Sequence, residues 1–203
     1  MPTRRYVSTV RADAAGKRRE RVVEAAGALL REETNIAAVS LEAVAKAAGV
    51  TRLTVYKQFG SRRGLLEAVF DELARLGGLG RIAQVMTMAD PRQALERLVE
   101  IFCDFWDDDA VGRLQDATAT DPEFARAVAD RNERRREALG VLIARIVPAS
   151  REKQAAHRDA VDLIFGLTSY PMYRILRPGR TLEAACAVIK SGCDAVLAGL
   201  AKS

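Results

Sequence analysis

The stretch VTRLTVYKQFGSRRGLLEAVF, residues 50–70, decides the fold of this 203-residue chain. Its first half predicts a short helix that Thr51 caps and that Gly60 ends. Its second half predicts a longer helix that opens with two arginines, Arg62 and Arg63. Cations at a helix N-terminus face the positive end of the helix dipole, which is unfavourable. The placement therefore requires a negative partner, and the nature of that partner bears on function.

A second short helix precedes this stretch and forms a helix-turn-helix pattern with it. Ser40 caps the earlier helix, and Gly49 ends it. Ala45 is small enough for close packing against the second helix, and Val55 fills the gap between the two. Two short helices joined by a turn that contains glycine are a unit that places its second helix in the major groove of DNA.

The outward face of the second helix carries both cationic and apolar side chains. Arg52, Leu53, Tyr56 and Lys57 fall within an arc of about 140° on a helical projection. An arginine suits guanine O6 and N7, and a leucine suits a thymine methyl group. A phenol and a lysine suit phosphate oxygens or base edges. The face therefore predicts binding to duplex DNA.

DNA phosphate is one candidate for the negative partner of Arg62 and Arg63. Backbone N–H groups at the start of the same helix would bind that phosphate as well. The alternative is an ion pair between Arg63 and Glu67, four residues further along the helix. Both interactions are compatible, since a surface pair contributes only about 0–1 kcal/mol.

Positive charge is concentrated in the N-terminal third of the chain. Residues 1–63 hold 13 Lys/Arg and 6 Asp/Glu, a net charge of 13 − 6 = +7. Residues 64–203 hold 19 and 21, a net charge of 19 − 21 = −2. This asymmetry indicates a polyanionic partner, although a solvated basic face gives the same charge count.

The rest of the sequence predicts longer amphipathic helices, so the fold class is all-α. The Gly77–Gly80 cluster ends the fourth helix, and Pro171 should kink or divide a helix over 150–176. We expect three parts: a flexible basic arm (1–16), a three-helix helix-turn-helix domain (17–63) and a larger helical regulatory domain (64–203).

No catalytic, metal or cofactor site is predicted. The only histidine, His157, has no Ser/His/Asp set around it, and the run 107–109 lacks the pattern of a calcium-binding loop. We expect that run to be a solvated loop. The three cysteines form no C-x-x-C motif and indicate a reducing cytoplasm. No apolar run is long enough to predict a membrane span, and residues 1–16 do not resemble a secretory signal.

Residues 17–70 resemble the DNA-binding domain of TetR-type transcriptional regulators. The resemblance rests on VSLEAVAKAAGVTRLTVYKQF and on GSRRGLLEAVF, with the pattern Val-Thr-x-x-Thr-Val-Tyr-x-x-Phe before a basic residue and Leu-Leu. It implies phosphate contacts from Ser40, Thr54 and Arg62, and base contacts from Arg52 and Leu53. The complete set of expected DNA-contacting residues is Ser40, Thr51, Arg52, Leu53, Thr54, Tyr56, Lys57 and Arg62.

The resemblance also implies a homodimer on a palindromic operator and a ligand-binding domain. The last helix carries an apolar stripe that suits a partner helix, with packing inside the monomer as the alternative, namely Leu182, Ala185, Ile189, Cys193, Val196 and Leu200. We therefore expect dimerisation through 150–176 and 182–200. The candidate ligand contacts are the methionine, aromatic and leucine side chains Met86, Met88, Phe102, Phe105, Trp106, Leu114, Phe124, Phe165 and Tyr173. Their apolar character predicts a small hydrophobic effector.

The chain is thus interpreted as a ligand-responsive DNA-binding regulator, most simply a repressor that a hydrophobic effector releases from its operator. An activator of the same fold is an alternative. A helical carrier of lipids or small molecules without DNA binding is another. A salt titration separates the carrier from a DNA-binding protein, because affinity that rests on phosphate contacts falls steeply between about 50 and 200 mM salt.

Overall fold

The computed structural model describes residues 3–33, 36–148 and 153–202, with side chains described from residue 14 onward. All regular elements in these ranges are helices, which confirms the all-α prediction. The α-helices are α1 (Thr3–Glu32), α2 (Leu41–Ala47), α3 (Arg52–Phe59), α4 (Arg62–Leu76), α5 (Ile82–Met86), α6 (Pro91–Trp106), α7 (Asp109–Ala117), α8 (Pro122–Ile146), α9 (Gln154–Leu167), α10 (Tyr170–Leu176) and α11 (Leu182–Lys202). Short 3-10 turns occupy Ile36–Ala38 and Leu79–Arg81.

Helices α1, α2 and α3 pack as a small N-terminal bundle against the first part of α4. Val22, Ala26 and Leu30 of α1 are buried against it. Helix α1 begins at Thr3 and so includes most of residues 1–16, which the sequence predicts to be a flexible arm. Alanine and arginine are strong helix formers, and no proline follows position 2 before the helix ends. Positions 1 and 2 lie outside the described residues.

Helices α5 to α11 form the larger C-terminal part around α6. Helix α6 packs on α8 and α11, and α9 packs on both α8 and α11. Leu98, Phe102 and Phe105 of α6 are buried in this core. The predicted division at Pro171 is confirmed, because α9 ends before it and Ser169 caps a new helix, α10.

The aspartate run 107–109 joins α6 to α7, and Asp107 and Asp109 are exposed, as a solvated loop requires, but the run is also held by specific partners. Asp108 caps α7 by accepting a hydrogen bond from the Ala110 N–H, at 2.8 Å, and forms an ion pair with Arg31 of α1, at 2.6 Å. Asp107 accepts hydrogen bonds from the Tyr173 hydroxyl, at 2.6 Å, and from Arg177 Nε, at 2.7 Å. Partners from distant segments thus order a stretch that is locally polar and irregular.

The apolar stripe of α11 lies inside the protomer instead of facing a partner. Ala185, Ile189 and Cys193 are all buried. A Cβ atom at Gly192 would lie 3.2 Å from Leu167 Cδ1, so this glycine permits the close approach of α9 in the same chain. The stripe therefore stabilises the core of the protomer.

Helix α11 is also the one helix in the described ranges that is long and apolar enough to cross a membrane, judged by length and composition. Core helices of soluble proteins have the same composition. Six of its residues pack into the protein interior, which is the arrangement of a core helix.

The three cysteines are free and buried.

Candidate nucleic-acid interface and ligand cavity

The helix-turn-helix geometry forms as the sequence predicts. Ala45 and Val55 are buried where α2 and α3 meet. Gly49 in the turn has a φ of 64°, a conformation in which a side chain would be strained. The Val50 N–H donates to the Ala45 carbonyl, at 3.0 Å, and closes the turn. These contacts hold α3 at a fixed angle to α2.

The opposite face of α3 is left to solvent. Leu53 is 59% exposed and Tyr56 is 56% exposed, although both are large and apolar in part. Arg52 and Lys57 are exposed beside them. Within the described residues neither cation forms an ion pair or an internal hydrogen bond. The structure thus brings together a ridge of four exposed side chains, Arg52, Leu53, Tyr56 and Lys57, on one face of α3.

The three predicted hydroxyl residues lie at the helix N-termini next to this ridge. Ser40 Oγ accepts a hydrogen bond from the Ala43 N–H, at 3.1 Å, as the cap of α2. Thr51 Oγ1 accepts from the Thr54 N–H, at 3.2 Å, as the cap of α3, and the two threonine hydroxyls lie 2.9 Å apart. Each hydroxyl keeps hydrogen-bonding capacity beyond its cap, so capping is compatible with a phosphate contact.

Arg62 lies apart from the ridge and bonds within the protein. Its Nε donates to the Val39 carbonyl, at 3.0 Å, and Nη2 donates to the Ile36 carbonyl, at 2.6 Å. Its Nη1 lies 4.0 Å from Asp121 Oδ2 at the cap of α8. The structure therefore supplies protein oxygens as the negative partners of this arginine.

Arg63 is also paired within the chain. Its guanidinium lies 3.2 Å from Glu67, as the alternative interpretation predicts, and 3.4 Å from Glu123 of α8. Both arginines that open α4 thus connect the DNA-binding part to the start of α8. The unfavourable position against the helix dipole is offset by carboxylates and carbonyls from other segments.

Two contacts fix α3 against its neighbours at the C-terminal end. Gly64 lies so close to the end of α3 that a Cβ atom there would overlap the Phe59 carbonyl oxygen. The Arg19 guanidinium of α1 lies 4.4 Å from the centre of the Phe59 ring and donates to the Gln58 carbonyl, at 3.2 Å. The orientation of the ridge is therefore set by α1 and α4 as well as by the turn.

A cavity of about 320 Å³ lies between α4, α6 and α8. Phe70 and Ala74 of α4 line one side, and Phe102, Phe105 and Trp106 of α6 line another. The α8 side carries arginines. The volume lies within the range of small-molecule sites, and the lining combines aromatic walls with a few polar groups, as such sites do.

Three of the nine predicted ligand contacts line this cavity, namely Phe102, Phe105 and Trp106. The other six have different surroundings. The carbonyl groups of Met86 and Met88 accept hydrogen bonds from Arg145. Leu114 and Phe124 are buried in the core. Phe165 packs on the Arg135 guanidinium, and the Tyr173 hydroxyl donates to Asp107.

The cavity is also lined by residues that were not among the predicted ligand contacts, chiefly Phe70, Arg131 and Arg135. Phe70 belongs to the apolar stripe of α4, a pattern that is equally typical of ordinary core. The arginines lie in the strongly charged middle of α8, where the sequence resembles a solvated face. Their helical spacing of four residues was the one available signal that they share a side of α8.

The carboxyl group of Asp107 at the edge of this core titrates abnormally. Burial raises its pKa, but hydrogen bonds from Arg177 and Tyr173 outweigh burial and hold the pKa below its usual value. Burial, reinforced by the same aspartate, raises the pKa of the Tyr173 hydroxyl. This cluster is ionised as Asp⁻ with neutral Tyr at physiological pH, and it connects α6 to α10.

Comparisons with known proteins agree with this geometry. Residues 22–69 match the family described as "Bacterial regulatory proteins, tetR family". A relative from Mycolicibacterium smegmatis, "HTH-type transcriptional regulator EthR", is 32% identical over 178 residues, which are 85% of this chain and 77% of that protein.

Solved structures share the fold over nearly the whole chain. A transcriptional regulator from Rhodococcus sp. Rha1 has a TM-score of 0.71 at 17% identity, covering 89% of this chain and 96% of its own. A regulator from Aquifex aeolicus VF5 has a TM-score of 0.68 at 14% identity, covering 88% and 99%. Members of this family are DNA-binding transcriptional regulators, not enzymes. The chain belongs to the TetR family of bacterial transcriptional regulators.

Proposed function

We propose that this regulator binds a palindromic operator as a homodimer and that a small molecule in the α4–α6–α8 cavity releases it. A repressor is the simplest form of this function. The carrying observation is the exposed ridge of Arg52, Leu53, Tyr56 and Lys57, whose cations have no carboxylate partner within the described residues. What distinguishes the ridge is the grouping of two unpaired cations with an exposed leucine and an exposed tyrosine on one face of α3.

Ligand control is supported by the position of α4. Its first turn bonds the segment before α2 through Arg62, and its later residues Phe70 and Ala74 line the cavity. Arg131 of α8 adds an ion pair to Asp71 of α4, at 2.7 Å. A ligand that changes the spacing of α4 and α8 would also shift the recognition helix. The proposed effect is a shift in population between conformations with suitable and unsuitable spacing of the two recognition helices.

Dimerisation is supported by the outer faces of α9 and α11, which pack side by side. Leu163 is 57% exposed on α9, and Val188 of α11 is also exposed. Small residues Ala184 and Ala195 lie on the exposed side of α11, one and two turns from Val188. This face suits a self-complementary interface with a second copy. It falls within the predicted ranges 150–176 and 182–200, although 150–152 lie outside the described residues.

Selection of bound fragments from random duplex DNA tests the function. We expect a palindrome whose half-sites are about one or two helical turns apart. Affinity should fall steeply with salt, because phosphate contacts release counterions. A protein that is folded and dimeric but binds no duplex at about 50 mM salt would instead support the carrier interpretation. Transcription from a template with the selected site then distinguishes a repressor from an activator.

Arg126→Ala is the matched control for the ridge. Arg126 is an exposed arginine on α8, far along the chain from α3. Its removal changes the net charge by the same amount as Arg52→Ala. We expect Arg126→Ala to retain the sequence preference and Arg52→Ala to lose it at one base position. Equal effects of both changes would indicate nonspecific attraction by overall charge.

A further inference from the structure

The cavity between α4, α6 and α8 includes a buried arginine. Arg135 of α8 is 9% exposed and forms part of the cavity wall. The rest of the wall nearby is aromatic, with Phe102, Phe105 and Trp106 on α6. An ionised side chain in such surroundings is costly unless it is paired. Its partners therefore indicate what the cavity is built to hold.

The hydrogen bonds of Arg135 leave its guanidinium partly unsatisfied. Nη1 donates to the Thr168 carbonyl, at 2.7 Å, and to Thr168 Oγ1, at 3.1 Å. The guanidinium carbon lies 4.1 Å from the centre of the Phe165 ring and 5.5 Å from that of Phe102. Nε is buried and has no hydrogen-bond acceptor. Across the described ranges, no carboxylate forms an ion pair with this arginine.

The charge of Arg135 is only partly balanced by its surroundings. Thr168 is the C-terminal cap of α9, so the negative end of that helix dipole faces the guanidinium. Burial, together with the neighbouring Arg136, lowers the pKa of Arg135 to about 10. The side chain nevertheless remains protonated at neutral pH. Arg135 therefore combines a buried N–H donor that has no acceptor with a positive charge that no described carboxylate balances.

The remaining charged groups of the cavity wall are also mostly cationic. Arg131 and Arg134 line it together with Arg135, and Asp71 is the one acidic residue of the described lining. Asp71 is already paired with Arg131, at 2.7 Å. The wall thus carries three cations and one anion, a net charge of 3 − 1 = +2.

We propose that the effector is an amphipathic anion, a carboxylate with an apolar body, whose acid group binds Arg135. The inference rests on the proposed ligand-controlled function and names the chemical class of its ligand. The carboxylate supplies the missing acceptor and the missing countercharge at once. The apolar body lies against Phe70, Phe102, Phe105 and Trp106. The prediction of a hydrophobic effector is thereby narrowed to one with an acidic end.

A purely structural role for Arg135 gives a different expectation. If the arginine serves only to cap α9 through Thr168, its guanidinium forms no hydrogen bond with a ligand, and the other cations of the wall give only a weak preference for anions. A carboxylate and its neutral amide would then bind with affinities within about threefold of each other. The discriminating quantity is therefore the ratio of affinities within a matched series, not the affinity of any one compound.

The test uses octanoate, decanoate and 1-naphthoate, each with its primary amide, and octylammonium as the reversed charge. Binding to the full chain is measured by calorimetry and by fluorescence of Trp106, the single tryptophan. We expect at least one carboxylate to bind, and to bind about 10- to 100-fold more tightly than its amide, with octylammonium weakest. This order is measured on the unmodified protein and needs no variant to fold.

Two variants then locate the preference. Arg135→Met should reduce the ratio of carboxylate affinity to amide affinity to about one. Arg134→Met is the control, because it removes an exposed arginine from the same wall. It should change that ratio by less than about threefold. Circular dichroism confirms that each variant is folded. The inference is overturned if no carboxylate in the series binds, if amides bind as tightly, or if Arg135→Met retains the preference.

A parallel measurement separates this inference from the proposed function. Fluorescence anisotropy with the selected operator reports DNA binding on the same protein samples. DNA binding without carboxylate binding overturns the ligand class and leaves the regulator intact. Carboxylate binding without DNA binding overturns the proposed function and supports the carrier. Carboxylate binding that also releases DNA supports both.

Discussion

Replacement of Arg62 tests whether this arginine stabilises the fold or contacts DNA phosphate. The sequence predicts a phosphate contact, and such a contact predicts that a substitution weakens DNA binding without changing stability. The structure instead shows hydrogen bonds to the Ile36 and Val39 carbonyls, at 2.6 and 3.0 Å. We therefore expect Arg62→Met to lower the free energy of unfolding.

The magnitude follows from these contacts. Hydrogen bonds from a charged donor contribute about 1.5–3 kcal/mol each when well buried. The Arg62 side chain is 29% exposed, so water replaces part of the interaction in the variant. The ion pair with Asp121, at 4.0 Å, adds little. The expected loss is about 2–3 kcal/mol, which corresponds to a fall of about 1 M in the urea midpoint.

The assay combines urea unfolding with a salt titration of operator binding. If Arg62 is structural, the slope of log affinity against log salt stays constant, although affinity falls because the segment before α2 loosens. Arg62→Lys is the matched control. Lysine keeps a charge near phosphate but has no fork to reach both carbonyls, so it should be nearly as unstable as the methionine variant. The reasoning is refuted if stability is unchanged and the slope falls by about one per phosphate contact.

Three further predictions follow from single positions. Arg52→Ala should leave stability unchanged, because this exposed side chain has no internal partner in the described residues. In competition binding it should reduce the preference for the correct base at one position of each half-site by about 1–3 kcal/mol. Gly64→Ala should destabilise the protein by about 1–3 kcal/mol in urea unfolding and weaken binding to every operator, because its Cβ overlaps the Phe59 carbonyl oxygen. Asp107→Asn should lower the free energy of unfolding by about 1 kcal/mol above pH 3.8, the ordinary aspartate pKa, because Arg177 stabilises the carboxylate and lowers its pKa in the folded state. In stronger acid the wild-type carboxylate is also protonated, so the two proteins should become equally stable. Thermal unfolding from pH 7 to pH 2 measures the difference between them.

Local sequence patterns were sufficient to predict the helices and their ends. Asp90 before Pro91 and Asp121 before Pro122 predict two N-caps, and both form. The capping atoms lie within three residues of the groups they satisfy, so no distant contact is needed. The buried residues of the helix-turn-helix were predictable for the same reason, since Val55 meets a helix only a few residues away.

Long-range packing decided what the patterns left open. The apolar stripe of α11 has the spacing of an interface, but only the position of α9 and α6 shows that it faces inward. Arg135 has the sequence context of a solvated residue, yet Thr168, the C-terminal cap of α9, accepts its hydrogen bonds in the interior. Nothing within a few residues of either position reveals the partner.

The sequence alone determined that this chain is all-α, that it carries a helix-turn-helix, and which side of the second helix faces solvent. Those properties depend on helical periodicity and on neighbours within about ten residues. The tertiary structure decided where the cations act: Arg52 projects into solvent, Arg62 binds the backbone of its own protein, and Arg135 enters a cavity. The physical reason is that an arginine has the same charge in every setting, whereas its role depends on which acceptors the packing of distant helices brings within hydrogen-bond distance.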